Sequence, residues 1–235
     1  MKPKFGIVVF PGSNCDHDAY YVTKKILGYE STFLWHKESD LKNSDIVILP
    51  GGFSYGDYLR TGSIARFSPI MESVINFAQK GGIVLGICNG FQILVEANLL
   101  PGTLLQNESI KFICKDVYLK VVNANSLITK NLPKNILKIP IAHGEGNYFL
   151  DEDELILLKK NNQILFQYCN KNGEVNSVSN PNGSVENIAG IMNESGNVFG
   201  MMPHPERCSD KILSNDDGLI LFDTLIKNFI INLRG

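Results

Sequence analysis

GIVLGICNGFQIL, residues 82–94, is a continuous apolar run that stops at a cysteine and resumes with helix-like spacing. Unbroken β-branched residues such as those from Gly82 to Ile87 suit a strand buried on both faces of a parallel sheet. Gly86-Ile87-Cys88-Asn89-Gly90 then has the spacing of the nucleophile elbow G-x-S-x-G, with a thiol in place of the hydroxyl. Such a corner projects its nucleophile at the carboxyl end of a parallel strand, and the glycines give room for a tight turn and a close helix. The helix start would aim free N–H groups and the positive dipole end at the sulfur, favouring an anion there. The N–H of Asn89 would face an oxyanion forming beside Cys88. On this motif alone, a small buried packing cysteine is an equal reading.

The flanking sequence supplies the sheet. KFGIVVF (4–10) and IVILP (46–50) are further apolar strand runs, and between them and the elbow DAYYVTKKILG (18–28) and SPIMESVINFAQKGG (68–82) read as helices. In the second, Ser68 suits the N-cap, Pro69 the first helical position and Gly81-Gly82 a left-handed stop. Alternating strands and helices predict an α/β architecture, a parallel sheet with covering helices. After about residue 100 the strands shorten: KFICKDVYLKVV (111–122), ILFQYC (164–169) and the hairpin-like NIAGIMNESGNVFGMM (187–202) predict added antiparallel strands. GLILFDTLIKNFIINL (218–233) predicts a closing helix. With no linker or repeat in view, 1–235 reads as one domain.

Charge excludes some partners. Lys and Arg total 22 against 24 Asp and Glu, a net charge of −2, so neither a nucleic-acid surface nor a membrane anchor is expected. The opening MKPKFGIVVFPG is too short in its apolar run to span a bilayer and reads as the first strand of a cytoplasmic protein. Five cysteines without CxxC spacing indicate neither a disulfide framework nor a zinc site, so no metal is expected. Cys114, Cys169 and Cys208 read as packing residues.

A thiol nucleophile needs a base. Of the four histidines, His36 in its polar stretch reads as solvated surface, whereas His204 in MMPHPER lies between prolines. A residue before proline is pushed to extended geometry, where positions i and i+2 share a face, so Glu206 would lie beside His204 and orient it. That is triad logic in its cysteine form. LPGGFSYGDYLR (49–60) adds a glycine loop after a buried strand, whose N–H at Gly52 or Phe53 can complete an oxyanion hole with Asn89.

The elbow, the GG loop at 51–52 and the later Pro203-His204-Pro205-Glu206 together resemble the class I (triad) glutamine amidotransferases, and imply their flavodoxin-like fold. FPGSNCDHD, GGFSYGDYLR, IPIAHGEGNY and GNVFGMMPHPER are similar to the family of glutaminase subunits serving phosphoribosylformylglycinamidine synthase. His17 departs from the arginine of many relatives, at the rim. The resemblance implies hydrolysis of L-glutamine to glutamate and ammonia, with Cys88 as nucleophile, His204 as acid and base, and Glu206 orienting it. Gln92, Phe53, His143, Gly144 and Glu145 would contact the substrate, although a structural role for His143 is as good a reading. No cofactor is implied in this chain. ATP and Mg would sit on a large synthetase subunit that makes formylglycinamidine ribonucleotide and receives the ammonia, with a small subunit bridging the two. Cys15 and residues 12–18, 54–60 and 143–148 would face the partner or the site rim, anchored by Tyr55, Tyr58, Arg60 and Tyr148. Two other readings stay open: a glutaminase subunit of another amidotransferase, and a non-catalytic binding protein with the same elbow.

Overall fold

The computed structural model describes residues 2–213 and 215–233. A sheet of nine strands forms its centre: β1 (Lys4–Val9), β2 (Glu30–Trp35), β3 (Ile46–Leu49), β4 (Ile83–Ile87), β6 (Ile113–Val121), β7 (Ile136–His143), β9 (Ile164–Cys169), β10 (Ile188–Met192) and β11 (Val198–Met201). Their order is β2-β1-β3-β4-β11-β10-β9-β6-β7. Every pair from β2 to β11 is parallel, and every pair from β11 to β7 is antiparallel. A two-stranded ribbon of β5 (Thr103–Leu105) and β8 (Asn147–Phe149) stands apart. The parallel half has the 2-1-3-4 opening of a flavodoxin-like sheet, in which sites form beyond the carboxyl ends of the strands.

The apolar runs account for this arrangement. All residues of β3 and β4 are buried, as strands covered on both faces must be. Helices α1 (Asp16–Tyr20), α2 (Pro69–Gln79), α3 (Asn89–Glu96), α4 (Glu152–Lys160) and α5 (Asp217–Asn232) cover the sheet. In α2 the buried Ile70, Met71, Val74 and Ala78 form one stripe, and in α5 Leu221, Phe222, Leu225 and Ile226 do the same. The hairpin of β10 and β11 turns on Asn193, whose side chain accepts from the N–H groups of Asn197 and Val198. No helix among the described residues is long and apolar enough to cross a membrane.

Three local readings need correction. The helix expected over 18–28 changes at Tyr21 into a π-helical turn, Tyr21–Ile26, where the Thr23 hydroxyl bonds back to the Ala19 carbonyl and competes with the regular ladder. Ser68 occupies the N-cap of α2 but makes no side-chain cap bond; its hydroxyl pairs with Tyr55 Oη at 2.8 Å instead. His36 is buried, not solvated: its Nδ1 pairs with the same tyrosine hydroxyl at 2.6 Å and its ring lies edge-on to Trp35.

The elbow depends on two close approaches. A Cβ on Gly90 would overlap the Leu49 carbonyl of β3, and one on Gly86 would come within 2.7 Å of the Gly90 backbone. Strand and helix can therefore meet only at glycine. Gly90→Ala should destabilise the protein by about 1–3 kcal/mol, the usual overpacking cost, read as a lowered denaturant midpoint; an unchanged midpoint would show that α3 can move away from β3 freely.

Candidate active site

Cys88 sits between β4 and α3 at φ 50°, ψ −107°, a strained conformation for a residue with a side chain. Two neighbours hold it there: its N–H donates to the Met201 carbonyl at 2.8 Å, and its carbonyl accepts the Gln92 N–H. The sulfur is turned toward the Ala142 carbonyl, 3.7 Å away, at the end of β7. Asn89 opens the helix, where a first-turn N–H has no intrahelical acceptor.

β11 is hydrogen-bonded in parallel to β4, with Met201 opposite Ile87. The segment leaving β11 therefore passes the same sheet edge as the elbow and brings His204 to it. His204 is anchored by its N–H to the Pro140 carbonyl of β7. Its Nδ1 contacts Glu206 Oε1 at 2.6 Å, and both side chains are almost wholly buried. The pairing expected from an extended i, i+2 relationship forms by another route: Glu206 belongs to a short 3-10 turn, Pro205–Cys208, which folds the carboxylate back onto the ring. Burial opposes protonation of His204, but the Glu206 carboxylate, then Cys88 and Cys15, outweigh it and hold the imidazole well above its ordinary range. Nε2, the nitrogen away from Glu206, is buried without a hydrogen-bond partner.

His143 is the opposite case. Burial, and secondly the charge on His204, lower it to about 4, so it stays neutral. Its Nδ1 contacts Asn107 Oδ1 at 3.0 Å, which leaves Nε2 buried and unpartnered. Two histidines pushed apart in this way separate the charged role from the neutral one. Asn107 also accepts the Gly146 N–H and donates to the His143 and Lys111 carbonyls, so one amide fixes the loop from His143 to Gly146. Gly144 is tied in through its carbonyl to the Asn107 N–H.

Gln92 is enclosed and does not reach into open space. Its amide accepts from Asn89 Nδ2 at 3.0 Å and donates to the Glu145 carbonyl at 2.6 Å, while Asn89 Oδ1 accepts the Ser54 N–H. The side chains of Asn89 and Gln92 thus bind the elbow to both neighbouring loops. Glu145 reaches Thr61 Oγ1 at 2.9 Å. Gly52 has φ 139°, closed to other residues, and pairs in a β-bridge with Ser13. The Phe53 N–H donates to the Gly12 carbonyl and is not free for an oxyanion, so of the two donors considered Gly52 is the one left. The Phe53 ring stands half-exposed at the rim, near Phe112.

The expected rim anchors divide. Tyr58 is 73% exposed, and Arg60 makes a bidentate pair with Glu96 at 2.7 Å. Tyr148 is instead a core residue, stacked near Phe91 with its hydroxyl on the Pro101 carbonyl. Tyr55 is tied to His36 and Ser68. Cys15, expected at the partner-facing rim, is 1% exposed and lies against His204 Nδ1 at 3.8 Å. Cys208 packs under the 3-10 turn, where burial pushes its thiol up to about 12.

Asp57 was not singled out from the sequence. Burial, and secondly the Glu145 carboxylate, push it up to about 6, and its Oδ1 has no partner. A carboxyl raised in the folded state adds stability that is full below its unfolded value near ~3.9 and is lost as pH rises through about 6. Asp57→Asn should therefore flatten the decline in denaturant midpoint between pH 4 and 6; an unaltered slope would place the proton elsewhere.

Residues 2–217 match the family described as CobB/CobQ-like glutamine amidotransferase domain. A Salinibacter ruber protein named phosphoribosylformylglycinamidine synthase subunit PurQ is 54% identical over 229 residues, covering 97% of each chain. A protein of the same name from Aquifex aeolicus is 54% identical over 226 residues, covering 96% of this chain and all of its own. Among solved structures, a chain of PurLQS from Thermotoga maritima superposes with a TM-score of 0.84 at 42% identity, over 97% of this chain and 100% of that one.

Proposed function

The chain belongs to the CobB/CobQ-like glutamine amidotransferase family, in the branch of subunits named PurQ, and we propose that it is the glutaminase of a phosphoribosylformylglycinamidine synthase. It hydrolyses L-glutamine to glutamate and ammonia and hands the ammonia to a large synthetase subunit, with which it assembles. The observation that carries the chemistry is the buried His204–Glu206 pair, delivered by β11 to the strained thiol corner that ends β4. Residues 1–235 act as one glutamine amidotransferase domain in the cytoplasm.

In this reading the Cys88 sulfur attacks the carboxamide carbon of glutamine, its proton going to His204 Nε2. The Gly52 and Asn89 N–H groups receive the developing oxyanion, a task for donors fixed in place before the reaction begins. The protonated imidazole gives its proton to the departing ammonia, leaving a thioester. It then takes a proton from water, whose oxygen attacks the thioester and restores the thiol. Glu206 holds Nδ1 throughout, so Nε2 remains the exchanging nitrogen. Neutral His143, Glu145 and the enclosed Gln92 shape the wall that receives the substrate. No step needs a cofactor in this chain; ATP and Mg belong to the synthetase partner, and a small third subunit bridges the assembly.

Cys88→Ala should abolish glutamine-dependent product formation in the assembled enzyme while synthesis from added ammonium salt persists. Retained glutamine-dependent turnover would remove Cys88 from the mechanism. His204→Ala should lower glutaminase kcat by about 100-fold or more, and Glu206→Gln by less, because Nδ1 keeps a neutral acceptor; equal and negligible effects would reduce the pair to a packing role. The glutaminase rate should also be low in the isolated chain and rise when the synthetase subunit and its substrates are added, since uncoupled hydrolysis wastes glutamine. A full rate without the partner would rule out this coupling.

A further inference from the structure

Behind the base, on the Glu206 side of the ring, is a third donor that the hydrolysis does not use. Cys15 Sγ lies 3.8 Å from His204 Nδ1, and Cys15, His204 and Glu206 each offer a ligand atom within 4.8 Å of the other two. All three are buried, and the second carboxylate oxygen, Glu206 Oε2, is enclosed without a hydrogen-bond partner. Position 51 is glycine, and a Cβ there would come within 3.1 Å of Cys15 Sγ and 3.3 Å of His204 Nδ1, so no side chain separates the two donors.

We propose that Cys15, His204 and Glu206 form an inhibitory site for a soft divalent cation of the zinc type. The donor set is one such ions take: a thiolate, an imidazole nitrogen and a carboxylate oxygen, with water completing a tetrahedron. Ligands of a tetrahedral zinc lie roughly 3.3–3.8 Å apart at ordinary bond lengths. The sulfur and Nδ1 already have that separation; the carboxylate, now 2.6 Å from Nδ1, must draw back and can present Oε2. Arg207 Nη2 donates to the sulfur at 3.1 Å, an outer bond to the metal-facing atom, and Arg207 is in turn paired with Asp18. The ion's two charges are balanced by the thiolate and the carboxylate, so Arg207 keeps its own counterion. Glu206 and Arg207 also line a cavity of about 580 Å³ together with Asp18, Tyr21 and Asp210.

This inference rests on the glutaminase reading for its effect on rate. Coordination through Nδ1 releases the Cys15 thiol proton to water and leaves the neutral ring with its one proton on Nε2. That nitrogen then cannot accept the Cys88 proton, and hydrolysis stops while the cation is bound.

Glutamine hydrolysis by the assembled enzyme, titrated in zinc buffers, should fall reversibly and return with a chelator, while ammonium-dependent synthesis continues. Cys15→Ala should require about tenfold more zinc or greater, at least what losing an outer partner of a metal site costs. Equal zinc sensitivity in the parent and Cys15→Ala would overturn the proposal. A second measurement needs no activity and does not depend on that variant folding: cobalt added to Cys88→Ala should give a thiolate-to-metal absorption band. Absence of the band, or its persistence when Cys15 is also replaced, would overturn the site without touching the assignment of Cys88.

Discussion

Where α3 crosses beneath the ends of β3 and β4, backbone meets backbone with no side chain between. Gly86 and Gly90 permit that approach, and the rest of the site is a consequence of it. With the helix so close, the single residue joining strand to helix must turn in very little space. Cys88 therefore takes a φ of 50°, and its side chain has one direction left to it, outward over the sheet edge. The cost, on the order of 1–3 kcal/mol for such a conformation, is borne by the bonds that fix the neighbouring peptides to Met201 and Gln92. Cys88 is thus placed by the packing of the core.

Around this fixed point the polar side chains act chiefly on other protein groups. Asn89 and Gln92 connect α3 to the loops at Ser54 and Glu145, and Asn107 gathers the turn from His143 to Gly146. His36 and Ser68 together hold Tyr55, whose own backbone at φ 55° shapes the glycine loop. Each is a buried polar group with satisfied partners, which rigidifies the wall on which a substrate must be held. Among the described residues the unpartnered buried atoms are Nε2 of His143 and of His204, Oε2 of Glu206, Oγ of Ser54 and Oδ1 of Asp57. Buried groups without partners are uncommon in finished protein interiors, and these belong to the segment 54–57, to His143 at the end of β7 and to the segment 204–206.

The elbow and three strands of the parallel half, β1, β3 and β4, were legible because their signals are local, apolar runs giving the strands and glycine spacing the corner; β2 was not read, and β11 was read only as an arm of a hairpin although it also pairs in parallel with β4. The proximity of His204 and Glu206 was legible as well, but its form was not, since the sequence implied an extended pair and the chain makes a 3-10 turn. Burial was misread where a residue's neighbours in sequence are polar. His36 sits among charged residues yet is covered by Tyr55 and Trp35, and Tyr148, in a loop-like stretch, fills the space that Gly102 leaves beneath it. Asp57 and Asn107 were not singled out, and Cys15 was read only as a residue facing the partner or the site rim. Their roles depend on residues from about 36 to 190 positions away, and only the sheet brings those together.

The hydrogen-bonded register of β4 with β11 joins two distant parts of one chain. Cys88 and His204 leave adjacent strands that lie more than a hundred residues apart in sequence, and a strand ladder sets how those strands lie against each other. The intervening chain, with its antiparallel strands and the β5–β8 ribbon, supplies walls and outer surfaces, and the end of its β7 also touches both residues, the Pro140 carbonyl accepting the His204 N–H and the Ala142 carbonyl facing the Cys88 sulfur. A change of length in that middle portion therefore leaves the spacing of Cys88 and His204 alone only where it spares both the ladder and the end of β7.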